Sequence, residues 1–284
     1  HPEWLGRCTH IYLDVGSNRG VQVRKLYEPE KYSGFDEVGN VATILPFFDA
    51  AFGKPEVRKA NGSGICALGF EPNPTHHDRL SRIEEAYNAR GWRTHFYPVA
   101  AWDAVDSMRF NVTDNPEYVD WDARLVSSFL QGAQRRDTAS GRFWSLARGA
   151  AGLKAGQWHL QDVCAVDMGA LVDELPRGSV RLVKMDIEGA EWRVVPRMVG
   201  RGQFCADRMG QLAIEVHGWG DTSKWRGPQT YEELQKFVTE HSNCAPNVST
   251  SSFLAVDDES FLRDVDSSFS GAGRAMPGIG GWAS

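Results

Sequence analysis

The stretch Ile11-Tyr-Leu-Asp-Val-Gly-Ser-Asn-Arg-Gly20 leaves the backbone few options. An apolar run closes on Asp14, Gly16 and Gly20 follow four residues apart, and a helix-compatible pattern begins at Val21. This order predicts a buried strand, a tight turn and a helix start. Such a turn offers bare backbone N–H groups and a positive helix end to an anion. Asp14, on the same turn, offers a carboxylate to a cation. A small zwitterion with a charged tail would be held from both sides. A strand-to-helix turn without a ligand fits the same residues. The spacing also departs from the three-glycine dinucleotide fingerprint, because Asn18 stands where the middle glycine would fall.

The rest of the chain repeats the strand-then-helix rhythm. Val21 to Glu28 reads as a helix stopped by Pro29, and Val41 to Phe52 as a short helix around its proline. Ile65-Cys-Ala-Leu-Gly-Phe70 is a continuous apolar run that closes on Glu71, as suits a strand buried on both faces. His76 to Arg90 follows as a helix, then Trp92 to Ala101 as a strand and its exit. Residues 103–162 break the rhythm and read as an insertion over one edge of the core, with Ser107 to Val112 alternating like an exposed strand. Strands are expected at 163–167, 180–186, 212–217 and 251–256, and helices at 168–175, 189–199 and 230–241. The Gly/Ser/Ala-rich tail from about residue 267 is expected to hug the surface or fray. Alternating strands and helices predict a mainly parallel α/β sheet covered on both faces, with ligands beyond the carboxyl ends of its strands. Asp14, Glu71, Asp186, Glu215 and His217 all fall there.

Composition narrows the function classes. The 284 residues are 42% hydrophobic and carry a net charge of −6. No basic block offers a footprint for nucleic acid, and no apolar run reaches the length of a membrane span. The chain begins at His1 rather than Met, so a segment ahead of it is expected to have been cleaved or left out. Five cysteines are widely scattered without a C-x-x-C pair, which argues against a zinc knuckle. Cys66, inside a core strand, reads as a small buried hydrophobe, and one disulfide among the others stays open. Three N-x-S/T sequons, at Asn61, Asn111 and Asn247, lean towards the secretory-pathway lumen, such as the Golgi, or the extracellular space, with the cytoplasm as the alternative.

The site chemistry concentrates at two places. Glu71 can accept two hydrogen bonds from a ribose diol. In Lys184-Met-Asp-Ile-Glu-Gly-Ala-Glu191, Asp186 and Glu188 are two apart and would point the same way in extended chain. Glu215 and His217 repeat that spacing. These four side chains are expected to converge, to position an acceptor and remove its proton, with Asp186 or His217 as the base. Asp186, Glu188 and His217 could also hold a divalent cation, though the spacing does not favour one. His76 and His77 carry no ligand spacing. Seven of the ten tryptophans fall between residues 100 and 226. Trp219 and Trp225, after His217, are the best placed to meet an acceptor's apolar or sugar face.

Together these pieces resemble the FkbM-type family of S-adenosylmethionine-dependent methyltransferases. The resemblance lies in Leu13-Asp-Val-Gly-Ser-Asn-Arg-Gly, Gly69-Phe-Glu-Pro-Asn-Pro, Val99-Ala-Ala, Val183-Lys-Met-Asp-Ile-Glu-Gly-Ala-Glu-Trp, Ile214-Glu-Val-His and Asp257-Asp-Glu-Ser. It spans residue 10 to about 265, and residues 29–63 and 103–162 fit it poorly. The resemblance implies one methyltransferase domain over residues 1–284 and a Rossmann-like class I sheet of seven strands, the last antiparallel. It also implies O-methylation of a sugar, glycan or small-molecule hydroxyl. It puts Asp14, Gly16, Asn18 and Gly20 around the methionyl end of S-adenosyl-L-methionine, Glu71 on the ribose, and Ala100 and Ala101 near the adenine, with Ser17 and Asn73 also among the donor-binding residues. A non-catalytic glycan- or nucleoside-binding module and a nicotinamide-dependent oxidoreductase are the rival readings. The acceptor and the oligomeric state are not specified by these residues.

Overall fold

The computed structural model describes residues 1–32, 44–113, 158–217, 228, 230–256 and 269. The expected strand–turn–helix opens the fold: β1 is His10–Val15 and α1 is Val21–Tyr27. Two short helices, α2 (Leu45–Phe52) and α3 (Pro55–Lys59), lead to β2 (Ile65–Phe70). Then come α4 (Pro74–Ala89), β3 (Arg93–Tyr97), β4 (Ala100–Trp102), β5 (Asp106–Thr113) and β6 (Trp158–Asp167). The chain continues through α5 (Met168–Glu174), β7 (Val180–Met185), α6 (Glu191–Gly200), β8 (Met209–Ile214), α7 (Tyr231–His241) and β9 (Ser252–Ala255).

The main sheet has the order β3-β2-β1-β7-β8-β9, and every pair in it is parallel. Strand order reverses between β1 and β7, so the ligand crevice of such a sheet opens at their carboxyl ends. The continuous apolar runs work as expected: β1 from Ile11 to Val15 and all of β2 are buried. Leu13, Val15, Leu68 and Val183 pack one face with α6 residues such as Trp192. Tyr12, Ala67 and Leu182 pack the other with Val23, Leu26 and Phe48.

Several expectations need correction. Among the described residues the sheet has six strands rather than seven, and β9 runs parallel to β8, so the antiparallel last strand is not among them. The Arg93–Trp102 segment makes two strands that belong to different sheets. β4, β6 and β5 form a second sheet in that order, with β5 antiparallel to β6. The described ends of the expected insertion, residues 103–113 and 158–162, contribute β5 and the start of β6. β5 does alternate as expected: Met108, Phe110 and Val112 are buried with Trp102 and Ala190, while Ser107 and Arg109 are exposed. The expected Trp219 and Trp225 contacts lie outside the described residues, as does most of the tail. Phe269, within that tail, is buried against Tyr87.

Cys66 is not a free hydrophobe. It is bonded to Cys8, with Cα atoms 5.9 Å apart, and Cys205 is bonded to Cys244 at 5.4 Å. Cys164 is a free, exposed thiol. In the chain-entropy account, loops of this length give each bridge about 4 kcal/mol. Both bridges sit at the amino-terminal rim of the sheet, opposite the crevice. Among the described residues no helix is long and apolar enough to cross a membrane.

Candidate active site

β1 delivers Asp14 to the switch point, where its side chain is fully buried. Tyr12 Oη donates to Asp14 Oδ1 at 3.1 Å, while Asp14 Oδ2 has no hydrogen-bond partner. Burial pushes the Asp14 carboxyl up to about 6, against the pull of the Lys184 ammonium. Lys184 is itself buried on β7. Burial opposes its charge, but Asp186 and Asp14 hold its pKa above the ordinary lysine value. Its Nζ donates to Asp186 Oδ2 at 2.9 Å and lies 3.4 Å from the Gly16 carbonyl.

The turn after β1 has left-handed backbone at Gly16 (φ 86°), Asn18 (φ 47°) and Gly20 (φ 77°). A Cβ on Gly16 would fall 1.8 Å from the Asp186 carbonyl oxygen, and one on Gly20 would meet Leu80 at 2.9 Å. Both glycines are therefore required by packing between chain segments, whatever binds nearby. Four of the turn's N–H groups are already taken. Gly16 and Ser17 N–H both donate to the Phe70 carbonyl, and Gly20 N–H donates to Ser17. Asn18 N–H donates to Glu71 Oε2 at 2.6 Å. The β2 end takes the donors of Gly16, Ser17 and Asn18, while the first turn of α1 has no capping side chain. On this turn the buried, unpartnered side-chain atoms are two acceptors, Asp14 Oδ2 and Asn18 Oδ1, and one donor, Arg19 Nε. The two acceptors suit an ammonium or another N–H-rich group, and the guanidinium donor suits a carboxylate.

Glu71 is buried and ties two loops together, since Oε1 accepts from Asn73 N–H at 2.8 Å while Oε2 holds Asn18. Burial raises its pKa to about 7, against those two hydrogen bonds. Each carboxylate oxygen keeps a further lone pair for a ligand hydroxyl. Asn73 and Ser17 have structural work. Asn73 Oδ1 caps α4 by accepting from Thr75 N–H at 3.0 Å. Ser17 Oγ donates to the Asp14 carbonyl and accepts from Phe70 N–H. Ala100 and Ala101 are buried on β4, just past the Tyr97 carbonyl that accepts from Glu71 N–H. His76 is buried in α4, and burial pushes it down to about 3, so it is neutral.

The second cluster converges as expected, though by a different route. Glu188 is not extended: its φ is 54°, and Gly189 follows at 94°. A non-glycine residue held there is strained, a recurring mark of functional loops. His217 Nε2 faces Glu215 at 3.3 Å, Asp186 at 3.7 Å and Glu188 at 3.8 Å. Asp186, Glu215 and His217 place one ligand atom each within 4.8 Å of one another, so among the described residues Glu215, rather than Glu188, completes the set that could hold a cation.

Glu191 is the residue that sequence reasoning missed. It is fully buried and accepts from Gly189 N–H (2.9 Å), His217 N–H (2.7 Å) and the His217 ring at Nδ1 (3.1 Å). Trp192 Nε1 donates to the His217 carbonyl at 2.7 Å. His217 is thus clamped from behind with Nε2 turned towards the carboxylates. Burial would lower its pKa, but Glu191, then Glu215 and Glu188, raise it well above the ordinary imidazole value. These neighbours favour the protonated ring at neutral pH. A signal for Lys184 was present in the sequence: a lysine inside an otherwise apolar central strand must be paired. Glu191 gave none, since an acid in the first turn of a helix usually faces water.

A family model of the methyltransferase FkbM domain matches residues 14–244. No curated protein matches the chain, and no solved structure does. The match begins at Asp14 and contains every residue of both clusters. The chain belongs to the FkbM-domain methyltransferases.

Proposed function

We propose that this chain transfers a methyl group from S-adenosylmethionine to a hydroxyl of a sugar, glycan or small molecule. The observation that carries the reading is the pair of buried acceptors without a donor, Asp14 Oδ2 and Asn18 Oδ1, beside the equally unpartnered Arg19 Nε at the switch point, next to a carboxylate cluster. Asp14 and Asn18 would hold the ammonium, Glu71 the ribose hydroxyls, and Ala100 and Ala101 would flank the base. Gly16 and Gly20 keep the turn close enough for this.

The sulfonium donor supplies an electrophilic methyl carbon. The protein's part is alignment and exclusion of water. As the new C–O bond forms, the acceptor oxygen turns positive and its proton becomes strongly acidic, so a carboxylate suffices to take it. Asp186 has that role, with Lys184 and His217 fixing its two oxygens. Glu188 and Glu215 orient the acceptor hydroxyl and favour the positive charge developing there. The cluster works as proton acceptor and orienting frame without a divalent cation, because Lys184 and protonated His217 already balance part of its negative charge. The two disulfides support an oxidising compartment for this reaction.

Calorimetry with S-adenosylhomocysteine, which keeps the ammonium, tests the donor site. Asp14 must ionise to hold it, and its carboxyl titrates at about 6. Affinity is expected to rise about tenfold between pH 5 and 7 and then level off. A flat pH profile, or binding of NADH in place of the nucleoside, would refute the assignment. Incubation with isotopically labelled methyl donor and candidate glycans, read by intact mass, identifies the acceptor; absence of any transfer alongside tight nucleoside binding would favour a non-catalytic module.

A further inference from the structure

We infer that Asn61 and Asn247 carry N-linked glycans. Three sequons exist in the chain, and the fold treats them differently. Asn61 and Gly62 form an exposed turn between α3 and β2. Gly62, the middle residue of that sequon, has φ 74°, and a Cβ there would meet nothing within 4 Å. Asn247 is exposed in the turn between α7 and β9, with φ 70° and a Val248 N–H to Ala245 bond closing the turn. Asn111 instead lies within β5, paired across to Leu160 in the antiparallel ladder, and is not proposed.

Position supports the assignment independently of exposure. Both turns precede strands of a parallel sheet, so both asparagines lie on the amino-terminal rim. Asp14, Asp186 and His217 lie at the other rim, and a bulky glycan at either asparagine leaves the crevice open. Each acceptor also sits beside a bridged cysteine, Asn61 five residues before Cys66 and Asn247 three after Cys244. Disulfide formation and glycan transfer occur in the same oxidising lumen, so the bridges put the chain where the modification happens.

The co-substrate is a lipid-pyrophosphate-linked oligosaccharide. The side-chain amide nitrogen bonds to the anomeric carbon, the bond from that carbon to the pyrophosphate oxygen breaks, the lipid pyrophosphate leaves with the electron pair, and the amide proton passes to a carboxylate of the transferase. Catalysis by this chain plays no part, so the test is separable from the methyl-transfer reading.

The wild-type chain, purified from the cells that make it, is digested with peptide N-glycosidase in ¹⁸O-water, which converts each formerly glycosylated Asn to labelled Asp. Label at residues 61 and 247 and none at 111 is expected. In a secretory host, Asn61→Gln and Asn247→Gln should each remove one glycan, and the double variant both. Where a Gln variant is not secreted, Ser63→Ala or Ser249→Ala removes the sequon of Asn61 or Asn247 while keeping its asparagine. Label at neither 61 nor 247, or at 111 alone, overturns the proposal.

Discussion

Asp14→Asn is expected to give a more stable protein that binds the methyl donor far more weakly. The folded-state pKa of Asp14, about 6, lies above its unfolded value of 3.8. A group raised in this way favours the folded state below the unfolded pKa, and that contribution is lost as pH rises through 6. At pH 7 the ionised, buried carboxylate therefore weakens the protein, by about 3 kcal/mol from the size of the shift. Asparagine keeps the shape and an acceptor for Tyr12 but carries no charge. Apparent melting temperature of the ligand-free protein should rise at pH 7 and change little at pH 4. Losing a charge-assisted contact should weaken S-adenosylhomocysteine binding about a hundredfold, which would remove the ligand-induced thermal shift. A variant with unchanged donor affinity would move the donor site away from β1, and a variant less stable at pH 7 would mean that Lys184 outweighs the burial of Asp14.

That opposition between stability and binding explains which parts of the site could be read in the sequence. Strand ends were legible because β1, β2 and β7 are apolar runs that each stop at an acid, and an acid at such a boundary marks the carboxyl end of a buried strand. What the turn does with its N–H groups was not legible. It depends on the Phe70 carbonyl, 54 residues beyond Gly16, arriving through the β1–β2 pairing. The same pairing puts Cys66 beside Ile11, and Cys8, just ahead of β1, reaches it only through that arrangement, so the bridge could not be read from spacing. The convergence of Asp186, Glu188, Glu215 and His217 was visible from their places at neighbouring strand ends. The left-handed Glu188 was not, because backbone strain is imposed by the surrounding packing and not by the residue itself. The direction of β9 was set by tertiary context in the same way.

The clamp behind His217 carries the second large effect. Glu191→Ala would leave three N–H groups, one of them on a charged ring, without an acceptor in a fully buried place. A loss of about 3–5 kcal/mol is expected, read as a fall in the denaturation midpoint. Glu191→Gln separates the charge from the shape. It fills the same space but removes the first of the carboxylates that keep His217 protonated. A raised histidine contributes stability that is complete below its unfolded pKa and disappears as pH climbs through the folded one. In the wild type that loss falls well above neutral pH; in Glu191→Gln it should shift down towards neutrality. Turnover should follow, because an uncharged His217 no longer fixes Asp186 and Glu215. The alkaline limb of the pH–kcat profile is therefore expected to move to lower pH, with donor affinity nearly unchanged because Asp14 and Glu71 belong to the other cluster. A merely structural Glu191 would lower the amount of folded enzyme at every pH and leave the shape of the profile intact, so the position of that limb decides between the two roles.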